Sequence, residues 1–405
     1  MSLLAIVLTI LGIVALVQLV RVFELGAKLR GNTQDSVDYN GNKLNGKLWL
    51  IFGVLYFAFF VWLVMEYGDK LLPVAASEHG AVIDSLMNFN WVILIIAFAG
   101  THILLFYFAS KYYWSPKRRA EFITHNNKLE LIWTTLPAIV LAVIIIYGLT
   151  AWNNITDEAP EEAVNVEIFS KQFGWTARFA GTDNELGESN YNFITGANPL
   201  GVITPETIKS RIEDIKEDIE RIEGNLANAP EGGLREKELS KELDNKKRQL
   251  QTIRTYSRKN TVEPYRAGDD DKVVTGEIHI PVNKTVNMHF RSQDVIHSAY
   301  MPHFRAQMNC VPGTPTRFHF TPTITTKEMR AKTGNEEFDY VLFCNKICGA
   351  AHYNMQMTII VESEEDYESW LAEQNTFTSV ETAENRSVNE EIEVEKENND
   401  LATTK

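Results

Sequence analysis

Three cysteines in 405 residues, Cys310, Cys344 and Cys348, are too few and the wrong parity for a disulfide framework. No Cys-x-x-Cys-His occurs, so no haem is attached covalently to this chain. Excess positive charge is missing too. Against 53 Asp and Glu stand 39 Lys and Arg, a net charge of −14, which argues against a nucleic-acid-binding surface. The imbalance is not uniform. Residues 1–151 carry 11 basic and 9 acidic side chains, whereas 152–405 carry 28 and 44. Much of the difference lies in residues 362–405, with 14 acids, three bases and few large apolar residues after Trp370. That composition predicts a solvated, disordered acidic tail. Any field that draws in a basic partner must then come from local clusters on the domain before it.

What the first third does have is long apolar runs: Leu3–Val20, Leu48–Met65, Trp91–Phe108 and Leu131–Tyr147. Each is long enough to cross a bilayer, and nothing comparable follows them, so four membrane spans are expected. Arg21, Lys28, Arg30, Lys43 and Lys47 lie between the first two, and Lys111, Lys117, Arg118, Arg119 and Lys128 between the last two. Between the second and third lies only Lys70. Basic loops stay in the cytoplasm, so the N-terminus and everything after Trp152 are expected outside, which is the periplasm in a Gram-negative cell. The first run lacks a basic segment ahead of it and reads as an anchor with its N-terminus outside, not a cleaved signal.

Beyond the spans, short segments show strand character: Val164–Ile168, Thr275–Ile280, Thr285–Arg291, Thr316–Thr321, Phe338–Phe343 and Met357–Val361. Apolar and polar residues alternate in several, and Gly, Pro and Asn punctuate them, as in a β-sandwich or Greek-key barrel. Between Gly181 and Lys272 the pattern changes. Ile208, Ile212, Ile215, Ile219, Ile222 and Leu226 recur at spacings of four and three, followed by Leu239, Leu243, Leu250 and Ile253, with Lys246 interrupting the seam. Two helices in an antiparallel coiled-coil hairpin are expected over about 205–259, the first arm reaching about 28 Å.

Chemistry concentrates in Cys344-Asn-Lys-Ile-Cys-Gly-Ala-Ala-His-Tyr-Asn-Met355. Cys344, Cys348, His352 and Met355 offer two thiolates, an imidazole and a thioether on one loop, a soft set that suits copper rather than magnesium or calcium. Zinc would not call for the Met, and a disulfide would leave His352 and Met355 unexplained. A mononuclear blue-copper centre needs one Cys. The second points to two metals bridged by two thiolates.

Here the chain resembles cytochrome c oxidase subunit II. The loop matches every side-chain ligand of that family's Cys-x-Glu-x-Cys-x-x-x-His-x-x-Met motif. Asp294-Val-Ile-His297-Ser resembles the segment that supplies the other imidazole, followed by Val311-Pro-Gly, and Glu130-Leu-Ile-Trp-Thr-Thr-Leu-Pro-Ala-Ile139 resembles the start of the family's second span. The likeness covers roughly 85–180 and 273–361. It implies a membrane-anchored, cupredoxin-like Greek-key domain at 152–361, the family's transmembrane hairpin at 85–151, and an additional region at 1–84.

The resemblance further implies a dinuclear copper (CuA) centre. Cys344 and Cys348 would bridge the metals, His297 and His352 would each terminate one, and Met355 and the Lys346 carbonyl would be weak axial ligands. Electrons would come from cytochrome c or a membrane-bound c-type cytochrome and pass to haem in subunit I, where oxygen is reduced to water with proton pumping. Subunit III and the lipid of a bacterial inner membrane would be the remaining partners. The family's usual electron-input Trp aligns with Phe173 and a second aromatic with Trp175. Glu130 aligns with the mouth of a proton channel, although a helix N-terminus favours a carboxylate in any case. Two departures stand out: Lys346 replaces the family's Glu, and Gln293 replaces an acid at the cytochrome dock.

Other candidates have blander readings. His279, His289 and His319 read as strand residues, His303 is the one rival to His297, and Cys310 reads as a buried free thiol. A quinol-oxidase subunit II would lack the copper ligands. The membrane helix that begins at Glu130 speaks against a nitrous oxide reductase, and less firmly against a CuA-bearing nitric oxide reductase. A purely structural adaptor would leave the metal loop without a purpose.

Overall fold

The computed structural model describes residues 12, 14–15, 17–26, 39–258 and 265–377. Most of the first expected span and the tail beyond residue 377 lie outside these residues. The chain divides into two compact units, Met1–Leu72 with Phe89–Val140, and Pro73–Asn88 with Leu141–Lys405.

Among the described residues three helices are long and apolar enough to cross a membrane: α1 (Tyr39–Tyr67), α2 (Glu78–Lys111) and α3 (Asn127–Thr156). They contain the second, third and fourth apolar runs. In the first unit α1 packs against α2 through small residues that let the backbones approach. A Cβ on Gly53 would meet the Phe106 ring at 2.8 Å, and one on Gly46 would meet Tyr113 at 2.9 Å and the Ser110 carbonyl at 3.0 Å. Phe60 and Phe98 meet further along with tilted rings, centroids 4.8 Å apart, so the two helices run antiparallel.

The second unit is a sandwich of two five-stranded sheets. One holds β1 (Val164–Lys171), β2 (Gly174–Phe179), β3 (Lys272–Thr275), β5 (Val286–Ser292) and β8 (Thr316–Phe320), in the order β3-β2-β1-β5-β8. The other holds β4 (Glu277–Pro281), β6 (His297–Met301), β7 (Ala306–Cys310), β9 (Tyr340–Cys344) and β10 (Gln356–Glu362), in the order β4-β10-β9-β6-β7. β1 runs parallel to β5 and β4 parallel to β10; the other pairings are antiparallel. Side chains alternate in and out along a strand, so Val286, Met288 and Phe290 of β5 face Met357, Ile359 and Val361 of β10 across one core. The six expected strands are present. β2, β3, β6 and β7 are additional: each has six residues or fewer, and their polar or glycine content hides the alternation.

The link between α1 and α2 is woven into this sandwich. The Ala76 N–H donates to the His303 carbonyl (2.7 Å), the Glu78 N–H to Thr321 (3.1 Å) and the Thr323 N–H to Ala76 (2.9 Å). Ser77 Oγ donates to the Phe304 carbonyl (2.7 Å), and the Arg305 guanidinium bridges Asp84 (2.8 and 3.0 Å) and the Pro73 carbonyl (2.6 Å).

The insertion is two helices, α4 (Pro205–Ala227) and α5 (Leu234–Arg258). Thr204 caps α4 reciprocally with Thr207, and Pro205 occupies the first turn, where a missing N–H costs nothing. Ile208, Ile215, Leu250 and Ile253 bury one another with Phe193, Ile203 and Tyr265 at the root, in a cluster separate from the sandwich core. Lys246, which interrupts the apolar repeat, pairs with Asp218 of the facing helix. The root is pinned by a buried ionic cluster. Arg178 donates to Glu167, Asp271 and the Gly187 carbonyl, and Arg291 to Glu167 and the Leu200 carbonyl.

The first part of the acidic segment is folded. Residues 326–333 form α6 (Thr326–Thr333), and Glu364–Glu373, expected to be unstructured, form α7. Ser363 caps α7, and Glu364, Glu365 and Asp366 occupy its first turn, where the helix dipole favours acids. Tyr367 is buried, Trp370 packs on the core, and Phe377 is buried with Phe169 and Leu200. Three aromatic anchors outweigh the charge.

Candidate metal centre

Two places on the second sheet supply the donors. Cys344 ends β9 and His297 begins β6, on adjacent antiparallel strands. After Cys344 the chain leaves the sheet for ten residues and returns at Met355, whose carbonyl accepts the Cys344 N–H (3.0 Å). The next N–H, of Asn345, donates to the Ser298 carbonyl (2.9 Å), so the loop's base is tied to the His297 strand.

Cys344 Sγ lies 3.8 Å from Cys348 Sγ, far beyond the roughly 2.05 Å of a disulfide. Each sulfur faces its own imidazole. Cys344 Sγ is 3.8 Å from His297 Nδ1, and Cys348 Sγ is 3.6 Å from His352 Nδ1. Met355 Sδ stands 3.8 Å from Cys348 Sγ, and the Cys344 thiol donates to the Lys346 carbonyl (3.2 Å) while the Lys346 side chain is exposed. The donor atoms of His297, Cys344 and Cys348 all lie within 4.8 Å of one another. Two sulfurs, two ring nitrogens, a thioether and a carbonyl thus converge as a soft and borderline set that fits copper. Burial and then the adjoining Cys344 thiol push Cys348 up to about 11, so without a metal it stays a thiol and binding a metal releases its proton.

His297 is fully buried and oriented by Asp294, whose Oδ1 accepts from Nε2 (2.9 Å) and leaves the Nδ1 lone pair toward the sulfurs. Burial opposes ionisation of Asp294. The His297 ring and the N–H groups of Gln172 and Val295 outweigh it and hold the carboxyl below the usual range. Trp175 is buried edge-on to His297, centroids 6.1 Å apart, with no partner for Nε1 among the described residues. Phe173 is 40% exposed and rests on the loop at Gly349. Around the centre Val295, Ile296, Ile347 and Tyr353 are exposed, the last two by 86% and 88%.

The other candidate histidines stay apart from the donors. His303 packs edge-on to Phe338 and Tyr340, and His279 stacks on Trp370 between Glu277 and Glu362. His289 and His319 lie on β5 and β8, and burial lowers both. Cys310 is opposite His297 in the β6–β7 ladder, its thiol pushed up to about 12 by burial. Glu130 lies in the first turn of α3 and accepts the Asn126 N–H (3.4 Å). Sequence reasoning missed Gln172 as a partner of this centre. Its contacts lie 122 and 176 residues away, and no linear signal marks them.

Two family models match the chain: the cytochrome c oxidase subunit II transmembrane domain over residues 63–151, and its periplasmic domain over 265–364. The chain belongs to the cytochrome c oxidase subunit II family. Subunit II is a component of haem-copper terminal oxidases, and this one is a membrane protein with an outward β domain. It is 28% identical to an alternative cytochrome c oxidase subunit 2 of Bradyrhizobium diazoefficiens, over 76% of this chain and 85% of the relative. It is 24% identical to subunit 2 of Thermostichus vulcanus, over 81% and 85%. The periplasmic domain of subunit II (CoxB) of Bradyrhizobium japonicum aligns at 14% identity over 53% of this chain and 95% of that one, with a TM-score of 0.26. The α4–α5 hairpin falls between the two matched segments.

Proposed function

We propose that this subunit II accepts electrons from a c-type cytochrome at a dinuclear copper centre and passes them to haem in subunit I, within a proton-pumping oxidase of a bacterial inner membrane. The observation that carries the reading is the pair of cysteine sulfurs 3.8 Å apart, each faced by a different imidazole. Cys344 and Cys348 would hold both metals, with His297 and Met355, His352 and the Lys346 carbonyl completing the set. When bound, the pair would supply a one-electron carrier whose charge is shared over two coppers.

The chain's own residues supply the frame. Asp294 fixes the His297 ring, and the Cys344–Met355 backbone bond closes the loop. A centre held this way moves little when its charge changes, which favours fast transfer. The exposed Phe173, Val295, Ile296, Ile347 and Tyr353 offer an apolar docking surface for the donor, with Phe173 as the contact nearest the loop. Trp175, being buried, serves as packing for His297. Glu130 is a proposed mouth of the proton channel, and subunit III a proposed neighbour.

The test is metal content and EPR of the purified full-length complex. Two coppers per chain and a delocalised mixed-valence signal are expected, and Cys344→Ser or Cys348→Ser should abolish the signal. A single copper, or zinc, in the unaltered complex would overturn the reading.

A further inference from the structure

The ligands of the centre come from two segments, the start of β6 and the loop after β9, both on the second sheet. A third segment, from the other sheet, touches both. The β1–β2 turn carries Gln172, whose peptide N–H donates to Asp294 Oδ2 (2.7 Å) while the other carboxylate oxygen holds His297. The side-chain Nε2 of the same residue donates to the Cys348 carbonyl. One residue thus joins the imidazole that faces Cys344 to the peptide of Cys348.

The loop's backbone bonds tie its start, Cys344 to Met355 and Asn345 to Ser298, and its second half, His352 to Gly349, Asn354 to Ala351 and Met355 to His352. Gln172 holds its middle. The contact is close enough to dictate the residue beside it. A Cβ on Gly349, whose φ is +145°, would come within 2.9 Å of Gln172 Nε2. The side chain is also of the right type, because the Cys348 carbonyl needs a donor. A carboxylate of the same length would set oxygen against oxygen.

We infer that Gln172 is a positioning residue that locks the two ligand segments together before any metal binds. The inference rests on the proposed copper reading for its spectroscopic consequence but not for its structural one.

The experiment therefore uses the metal-free and the copper-loaded full-length chain, unaltered and as Gln172→Leu and Gln172→Glu. Amide exchange in the metal-free protein should quicken about tenfold over residues 345–351 in Gln172→Leu, the opening expected from one lost hydrogen bond. β9 and β10 should be unchanged. Gln172→Glu should quicken exchange further. In the loaded protein Gln172→Leu should alter the copper hyperfine pattern and speed copper loss to a chelator several-fold.

Unchanged exchange in the loop would overturn the inference, and so would exchange that rises equally throughout the sandwich, since Gln172 would then merely support the fold. If the unaltered chain bound no copper pair, the proposed function would fall, and the metal-free measurement would still decide the role of Gln172.

Discussion

Phe173 lies against Gly349 so closely that a Cβ on the glycine would come within 2.7 Å of the ring's Cζ. The turn that carries the exposed aromatic and the loop that carries the ligands are therefore fitted to each other, and the fit depends on a residue without a side chain.

Gly349→Ala should cost about 1–3 kcal/mol, because φ +145° strains any L side chain and the added methyl lifts Phe173 off the loop. Thermal unfolding of the detergent-solubilised chain measures the loss. Stability equal to that of the unaltered protein would show that the loop and the β1–β2 turn are not closely packed.

Lys346→Ala should retain two coppers with a nearly unchanged spectrum. Only the backbone carbonyl of residue 346 faces the sulfurs, and any residue supplies one. An ammonium also cannot ligate a hard cation such as magnesium, so no metal should bind through this side chain. Metal analysis decides the matter, and an emptied copper site in Lys346→Ala is the contrary outcome.

The two buried carboxylates of the insertion root respond to pH in opposite senses. Burial raises Asp271 to about 6, with Arg178 only partly offsetting it. Burial also opposes ionisation of Glu167, but Arg178 and Arg291 outweigh it and hold that group below its ordinary value. A raised carboxylate contributes stability that is full below its unfolded value near 3.8 and lost as the pH climbs through 6. Relative to Asp271→Asn, the unaltered chain should therefore gain on the order of 2–3 kcal/mol as the pH falls from 7 to 4. Unfolding midpoints of both across that range test the sign, and a constant difference would contradict it.

Replacing Pro205–Arg258 with a short Gly/Ser linker should leave the copper spectrum intact, since the hairpin's apolar cluster is separate from the sandwich core. The same change uncovers Phe193, Ile203 and Tyr265 at the root, so stability should fall by about 2–5 kcal/mol. Loss of copper from a protein that remains folded would show that the hairpin reaches the centre.

The gathering of the loop's donors was legible because four of them sit within one twelve-residue loop, where spacing alone brings them close. His297 was found through the resemblance of Asp294–Ser298, not through spacing. Gln172 was not legible, because a turn on one sheet meets a loop on the other only after the sandwich has closed. Among the strands, β5 and β10 announce themselves by strict alternation, whereas β6, with His297 and Ser298 buried at its start, looks polar. Helix α7 was hidden by averaging. Its acids mark a helix start, and Tyr367 and Trp370, one turn apart, were diluted by the charge around them.

The stitching of the α1–α2 link also has a consequence in time. Ser77 finds its partner carbonyl on Phe304, 227 residues later in the chain. At ribosomal rates of about 5–20 residues per second, roughly 10–45 s pass between the synthesis of one partner and the other. For that interval the link is bare backbone between two membrane helices, available to proteases and chaperones, and it becomes a protected part of the sandwich only when β6 and β8 have been translated and crossed the membrane. The ordering of a segment near the start of the chain thus reports completion of the domain near its end.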